Sequence, residues 1–566
     1  MSSPAPGTPR PRGAEWSRRH LLGLLAAGVG TLGACSALPT SGEVFTGGVI
    51  SDDDAQLVQT AEGPIRGAGP EVIVQGFLRA CAAGFSDGFA TARSFLFPTL
   101  SETWNPTEAV RVYAGSTAPT VKQGPNGAVN VAAELLGVLD STRVFTAQPD
   151  PNYSESLSLA TTSQGQWRIV ALPMGVLLSS SSLAASFADC FLFFLSSDCT
   201  RLVPELRWFP RRRLLVSLVE ALLKGPSPWL AAGVISAVPE GTALVGDGVK
   251  VDGSTATVLL SAQAASASPR VQALLVDQIK GTLLQVGGVA EVVVTADSAP
   301  MESSAGLIAS TAPSAGSLVG IAGGEVVQGV EEPRSVLVNA DVLEGLEPRH
   351  PALGPDRTVY LVSGERLMRI SADASEVAEA AVLGPGAVLP PVVDRHGWVW
   401  TGAAGALSVL NAQGARAELD AAWLSGAEVL DLDLSCESER LAVRYTKEGR
   451  THVGVAAVRR NERGQPVGLG EPLALDVAAG WGLAWQDPVA LVALEEGTDG
   501  VSMVRRTLVG GTSSITAGVA GAGRVVADRV GGDILLSDGA GQVWQRAGAT
   551  WRSLGADVSD LAYSLS

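Results

Sequence analysis

From residue 334 onward the chain is a series of short apolar runs divided by turn residues, a pattern that points the last part of the chain to an all-β fold. Thr358 to Val362, Gly397 to Trp400, Leu407 to Leu410, Leu441 to Tyr445, Pro488 to Val492, Asp533 to Leu536 and Gln542 to Trp544 read as strands. Asp394-Arg395-His396-Gly397, Asn411-Ala412-Gln413-Gly414 and Asp538-Gly539-Ala540-Gly541 stand where hairpin turns belong. Roughly 230 residues at about 40–45 per blade predict five or so four-stranded blades of a β-propeller. A β-sandwich is the alternative. Seven of the twelve tryptophans fall here, and in a propeller they pack between blades, with stacking on sugars as the functional alternative.

The other end of the chain constrains location. Arg18-Arg19 precede an apolar run from Leu21 to Leu32, which leads into Gly33-Ala34-Cys35. The run is about 12 residues, short of the roughly 20 that a spanning helix needs. Basic region, short apolar core, small residues and cysteine resemble a bacterial lipoprotein signal. That resemblance implies cleavage after residue 34 and lipidation of Cys35, with an S-diacylglycerol and an N-palmitoyl chain. A plain cleavable signal or an N-terminal membrane anchor are the alternatives. Ser17-Arg18-Arg19-His20-Leu21-Leu22 also resembles a twin-arginine export signal. Residues 35–69 then read as a flexible tether, so the expected location is the outer side of the cell membrane, held by lipid.

Formal charge is −17, which argues against nucleic acid as a partner and against broad adhesion to anionic lipid. At 46% apolar residues the chain has ample material for several cores. Residues 70–200 form the first expected domain. Val72, Ile73, Phe77, Leu78 and Cys81 recur at helical spacing, a second short helix follows with Ser86 at its N-cap, and strands gather around Val110, Val129, Val144 and Gln166 to Val170. Helices followed by a curled sheet resemble the α+β cone of the nuclear-transport-factor-like superfamily.

Residues 201–298 read as an α/β domain. Leu214, Leu215, Leu218, Val219 and Leu222 share a helix face entered by Arg211-Arg212-Arg213 and closed at Lys224-Gly225-Pro226. Ser268-Pro269 opens a second helix, and strands lie around Val249, Val258 and Val289 to Val294. Residues 299–333 are rich in Ser, Ala and Gly and read as a linker, leaving 334–566 for the propeller.

Chemistry-bearing motifs are scarce. The chain has no His-Glu-x-x-His, no Cys-x-x-Cys, no Gly-x-Ser-x-Gly and no Gly-Lys step. His350, His396 and His452 stand alone, and His396 reads as a surface turn residue. Asp431-Leu432-Asp433 puts two carboxylates on one strand face, suited to calcium but better read as a solvated face. Arg211-Arg212-Arg213 can grip an anionic partner, with a charged helix entry as the plainer reading. Cys190 and Cys199 flank an apolar stretch and are either a disulfide or two buried thiols. No catalytic, metal or cofactor site is expected, and no enzyme activity.

Beyond the cleavage site, Cys35-Ser36-Ala37-Leu38-Pro39-Thr40-Ser41-Gly42 is similar to the opening of the LpqB family of actinobacterial lipoproteins. Gln166-Trp167-Arg168-Ile169 with Pro173-Met174-Gly175-Val176 resembles the end of that family's first domain. Leu202-Val203-Pro204 with Arg207-Trp208-Phe209-Pro210 resembles the lead-in to its second, and Leu222 to Leu230 (LLKGPSPWL) resembles the signature of its GerMN domain. Leu206 stands where that pattern has a proline, and residues 191–198 are altered beside it. The resemblance implies a multi-domain chain of cone-like domain, GerMN domain and propeller. It implies a partner as well: the extracytoplasmic domain of the sensor kinase MtrB in the MtrA–MtrB two-component system, which governs cell-wall homeostasis and division. A peptidoglycan- or glycan-binding lipoprotein is the alternative.

Overall fold

The computed structural model of the chain describes residues 61–565, apart from 126–127, 149, 304–307, 309–314, 476–479 and 556. The expected signal, Cys35 and most of the tether lie outside the described residues. Among the described residues, no helix is long and apolar enough to cross a membrane.

The first domain is built on the helix Pro70–Asp87, which begins with proline at its first position and ends at Gly88, whose φ of +68° only glycine adopts without strain. Its apolar stripe buries Ile73, Val74, Phe77 and Cys81 against Val112, Val129, Val131 and Ile169 of the sheet. The sheet runs in the order Trp167–Ala171, Asn152–Thr161, Ala128–Leu139, Val110–Tyr113, Val176–Ser179. Its last pair is parallel, and the pairs around the long central strand are antiparallel. Ser86 does not cap the second helix. Its hydroxyl donates to Ala83 O within the first helix, and Phe89 with φ of +65° precedes Ala90–Arg93 instead. Trp104 is fully buried between Phe77 and Phe89 under the Arg93 guanidinium.

A hairpin follows, Phe187–Leu195 against Leu202–Pro210, with Cys190 opposite Arg207. The expected boundary at residue 200 falls inside its turn. Leu192, Phe194 and Val203 join the core of the second domain, while Phe187 and Trp208 join that of the first. The edge strand of the hairpin has a helix for a neighbour in place of a strand. Gln285 accepts from Phe191 N (2.7 Å) and donates to its carbonyl (2.6 Å), Thr282 Oγ1 accepts from Phe193 N (3.2 Å), and buried Gln278 donates to Phe193 O (2.9 Å). These side chains of the helix Pro269–Leu284 and its C-cap supply the partners that the backbone requires. Ser268 caps that helix by accepting from Val271 N, as the sequence predicts. Leu214–Lys224 is the second helix, and the four-stranded sheet of this domain places Thr255–Leu260 parallel to Glu291–Ala296 between two antiparallel edge strands.

Among the described residues the propeller has six blades, one more than the blade length predicts. The inner strands Ser559–Tyr563, Arg349–Leu353, Val388–Val393, Glu428–Leu434, Trp481–Asp487 and Arg524–Ala527 touch in sequence around a closed ring. The extra blade comes from the stretch expected as a linker. Leu318–Ala322 and Glu325–Gln328 form strands, and Leu318–Ala322 pairs with the C-terminal strand Ser559–Tyr563, so both ends of the domain share one blade. Radial repetition leaves each blade only a short outer edge. The third blade has three strands where the others have four or five.

Candidate functional site

The segment Leu222 to Leu230 is where the second domain is tied to the propeller. Lys224 ends the helix, Gly225 takes φ of +93°, and Pro228 starts the short helix Pro228–Ala231 that buries Trp229 and Leu230. A buried ion pair holds this turn: Arg207 and Glu205 meet at 2.5 Å, Arg207 donates to Gly225 O (2.9 Å), and the Ser227 hydroxyl donates to Glu205. Beyond it Gly233 packs so closely on Ala457 and Val458 of the fourth blade that a Cβ would lie 2.9 Å from Val458 O. The apolar side of the contact is one continuous core, in which Val203, Leu218 and Leu230 join Val455, Ala457, Trp485 and Leu491 of the propeller.

The polar side is a cluster of charges at the hairpin tip, with Asp198 at its exposed edge and Glu439, Arg440 and Arg460 buried beneath. Arg395, in the turn after the third blade's inner strand, grips both carboxylate oxygens of Asp198 (2.7 and 2.9 Å) and reaches Glu439 (3.1 Å). Ser197 donates to Glu439 from its N–H and its hydroxyl. Arg460 lies beneath, fully buried, 2.8 Å from Asp394 and 3.5 Å from Glu439. Arg440 pairs with Glu437 at 2.5 Å, stacks over Trp485, and donates to Pro204 O across the junction (3.2 Å). Burial opposes ionisation of Asp198, yet the bonds from Arg395, Ser196 and Thr200 hold its carboxyl well below the usual range. Burial raises Glu439 against the pull of Arg460 and Arg395. Trp208 of the hairpin adds a bond to Gly510 O (3.0 Å), to which Phe145 of the first domain also donates its N–H.

These contacts involve turns that follow the inner strands, 394–397 and 435–440, together with 508–511. The strand starts, including Arg349, Arg524 and Ser559, lie at the opposite end of the central channel. There Asp560 accepts from Arg349 (2.9 Å) and from His350 Nδ1 (2.8 Å), which together hold its carboxyl below the usual range despite burial. A cavity of about 240 Å³ runs through the channel, lined by Leu353, Pro390, Asp431, Asp433, Arg524 and Arg529 among others.

The residues singled out from sequence end in different places. The bridge between Cys190 and Cys199 does not form, and both are free thiols. Cys190 faces the core on the hairpin while Cys199 sits in its turn. Five residues of strand separate Cys190 from Leu195, about 16 Å at the usual rise, where a disulfide needs Cα atoms about 4.4–6.8 Å apart. Burial pushes the Cys190 thiol up to about 12. Arg211 donates to Ala184 O and Arg212 to Ser86 O, so the basic run ties the second domain to helix ends of the first. His396 is no free surface turn: its ring packs against Gly464, and burial, then Arg460 and Arg395, lower it to about 4. Asp431 and Asp433 are not on a solvated face. Asp433 pairs with Arg529 at 2.5 Å and accepts from Trp485 N, while Asp431 lines the channel. Among the described residues no group of three or more His, Cys, Asp or Glu can hold a metal ion. Three propeller indoles make internal bonds: Trp400 donates to Asp394 (3.1 Å), Trp485 to Asp433 O (3.2 Å) and Trp423 to Gly470 O (2.9 Å).

Sequence reasoning did not single out Asp198, Glu205, Glu439, Arg440 or Arg460 as a set. The available signal was charge inside apolar strand runs, such as Glu205 and Arg207 within Leu202 to Phe209.

Fold and junction together define a class: a multi-domain protein whose α+β and α/β domains are fused to the face of a propeller. Residues 63–184 match the lipoprotein LpqB N-terminal domain, 191–302 the Germane domain of sporulation and spore germination, and 324–561 the lipoprotein LpqB beta-propeller domain. The chain belongs to the LpqB lipoprotein family. It is 31% identical to Lipoprotein LpqB of Bifidobacterium longum (strain NCC 2705) over 270 residues, 45% of this chain and 46% of that protein. Lipoprotein LpqB of Streptomyces coelicolor is 30% identical over 286 residues, 46% of each chain. The matched region spans about half the length of these curated relatives. Among solved structures, TolB from Acinetobacter baumannii is similar at 10% identity over 44% of this chain and 66% of that one, with a TM-score of 0.32, too low to bear on function.

Proposed function

We propose that this protein is a lipid-anchored adaptor on the outer side of the cell membrane. It binds the extracytoplasmic domain of an MtrB-like sensor kinase and adjusts two-component signalling in cell-wall homeostasis and division. The observation that carries the reading is the junction: an apolar core and buried charges weld the second domain to one propeller face and, among the described residues, leave the opposite face free. A rigid platform with loops at its open end suits recognition of another protein. Cys35, lipidated, would hold that platform at the membrane where a kinase sensor domain lies. Catalysis has no part in this reading. The wall-binding alternative gains nothing from Trp400 and Trp485, whose rings are fully buried and closed to a stacking sugar.

Crosslinking in intact cells, read by mass spectrometry, tests the reading by comparing the native protein with Cys35→Ala. The expected result is a dominant crosslink to the kinase sensor domain that is lost, with membrane association, in the variant. Crosslinks to glycan fragments or division-wall proteins and none to a kinase would replace the adaptor with the wall-binding protein.

A further inference from the structure

The free end of the propeller channel holds charges that the fold does not pair. Asp431 accepts a single hydrogen bond among the described residues, from Leu432 N at 3.0 Å, and has no ion pair within 4 Å. Arg524, on the strand two blades away, reaches the Nδ1 of His350 at 3.3 Å. That nitrogen already donates to Asp560 at 2.8 Å, so it has no lone pair left for Arg524. Burial is the main cause that raises the Asp431 carboxyl to about 6, and it also lowers Arg524. Elsewhere in this propeller buried charges are paired: Asp433 with Arg529, Arg460 with Asp394, Arg440 with Glu437. Asp431 and Arg524 are half-buried in the cavity wall, and a charge drawn out of water without its partner is costly, so unpaired groups of opposite sign around one cavity mark a place for something else.

We propose that the cavity between Asp431 and Arg524 is a binding site for a small zwitterion of the amino-acid or dipeptide class. The ligand's ammonium would lie on the Asp431 carboxylate and its carboxylate on the Arg524 guanidinium, where charge-assisted bonds are strongest. Leu353, Pro390, Pro391 and Val525 give the cavity an apolar wall suited to a short side chain. Its volume of about 240 Å³ is below the about 300–1,000 Å³ of drug-sized pockets, which favours a dipeptide over a glycan chain. Arg349 at this end is 62% exposed, and the second domain covers the other face, so entry is from the free side. The site is independent of any contact with a kinase.

Isothermal titration of the full exported chain with alanyl-alanine, acetate and ethylammonium tests the assignment. The expected result is binding of the dipeptide at least tenfold tighter than either single-charge probe, and at least tenfold weaker in Asp431→Asn and in Arg524→Gln. Should a variant fail to fold, phenylglyoxal labelling of Arg524 in the native protein gives a second reading, with protection expected from alanyl-alanine and not from ethylammonium. No heat and no protection at millimolar dipeptide would leave the channel to water and overturn the proposal. Equal binding of acetate and dipeptide, or undiminished binding in Asp431→Asn, would overturn it in favour of an anion site.

Discussion

Arg459 and Arg460 are neighbours on one strand with opposite surroundings, and replacing each by alanine tests how the junction is held. Arg460 is fully buried, as are Asp394 and Glu439, to which it is 2.8 and 3.5 Å away. It also donates to the carbonyls of Gly464 and Ser438. Removing it leaves Asp394 with bonds only from backbone N–H groups and the Trp400 indole, and leaves Glu439 dependent on Arg395 and Ser197. Truncating one member of a buried pair costs about 3–5 kcal/mol. For a domain of this size, about 2–4 °C of melting temperature per kcal/mol makes the expected shift about 6–20 °C. Arg459 pairs with Asp420, whose side chain is 73% exposed, so Arg459→Ala is expected to cost no more than about 1 kcal/mol. Differential scanning calorimetry of the protein at neutral pH compares the two. Equal shifts within about 2 °C would show that the charge cluster does not stabilise the junction, and the argument from burial would fail.

Three further outcomes are expected. Gly175→Ala should destabilise the first domain by about 1–3 kcal/mol, because Gly175 has φ of +89° and a Cβ would lie 2.1 Å from Ala109 O; Gly67→Ala, with open space around it, is the milder control, and thermal shift reads both. Thiol alkylation of the native chain followed by peptide mapping should modify Cys199 well before buried Cys190, and a non-reducing Cys190–Cys199 peptide would contradict the hairpin geometry. His396 is held at about 4 from an ordinary value of 6.5, so the unfolded chain takes up its proton first. Its contribution to stability is therefore present above about 6.5 and lost as pH falls toward 4, by no more than about 3 kcal/mol. His396→Gln should flatten that part of a denaturation-against-pH curve, and an unchanged slope would place the ring in solvent.

Much of the architecture is legible from local patterns. Helix periodicity places Pro70–Asp87, Leu214–Lys224 and Pro269–Leu284, because an apolar stripe with a cap and a breaker is a local property of the chain. Short runs divided by turns mark an all-β domain, with a propeller favoured over a sandwich, and LLKGPSPWL resembles the LpqB family only in combination with the opening after Cys35 and the motifs around Trp167 and Trp208. The expected location at the membrane rests on Cys35 and the residues before it. What sequence order does not contain is which strands close the ring. Leu318–Ala322 lies in a stretch composed like a linker, and it becomes a blade because the C-terminal strand, more than 230 residues later, pairs with it. The disulfide question has the same character: spacing permits a bridge between Cys190 and Cys199, but a straight hairpin holds them apart. The junction and the channel are tertiary in the strictest sense. Asp198 meets Arg395, and Asp431 and Arg524 line one cavity, only because closure of the propeller and docking of the second domain bring distant segments together. A charge in a strand run carries no local sign of its partner, so whether it is neutralised within the fold or left for a ligand is decided by packing alone.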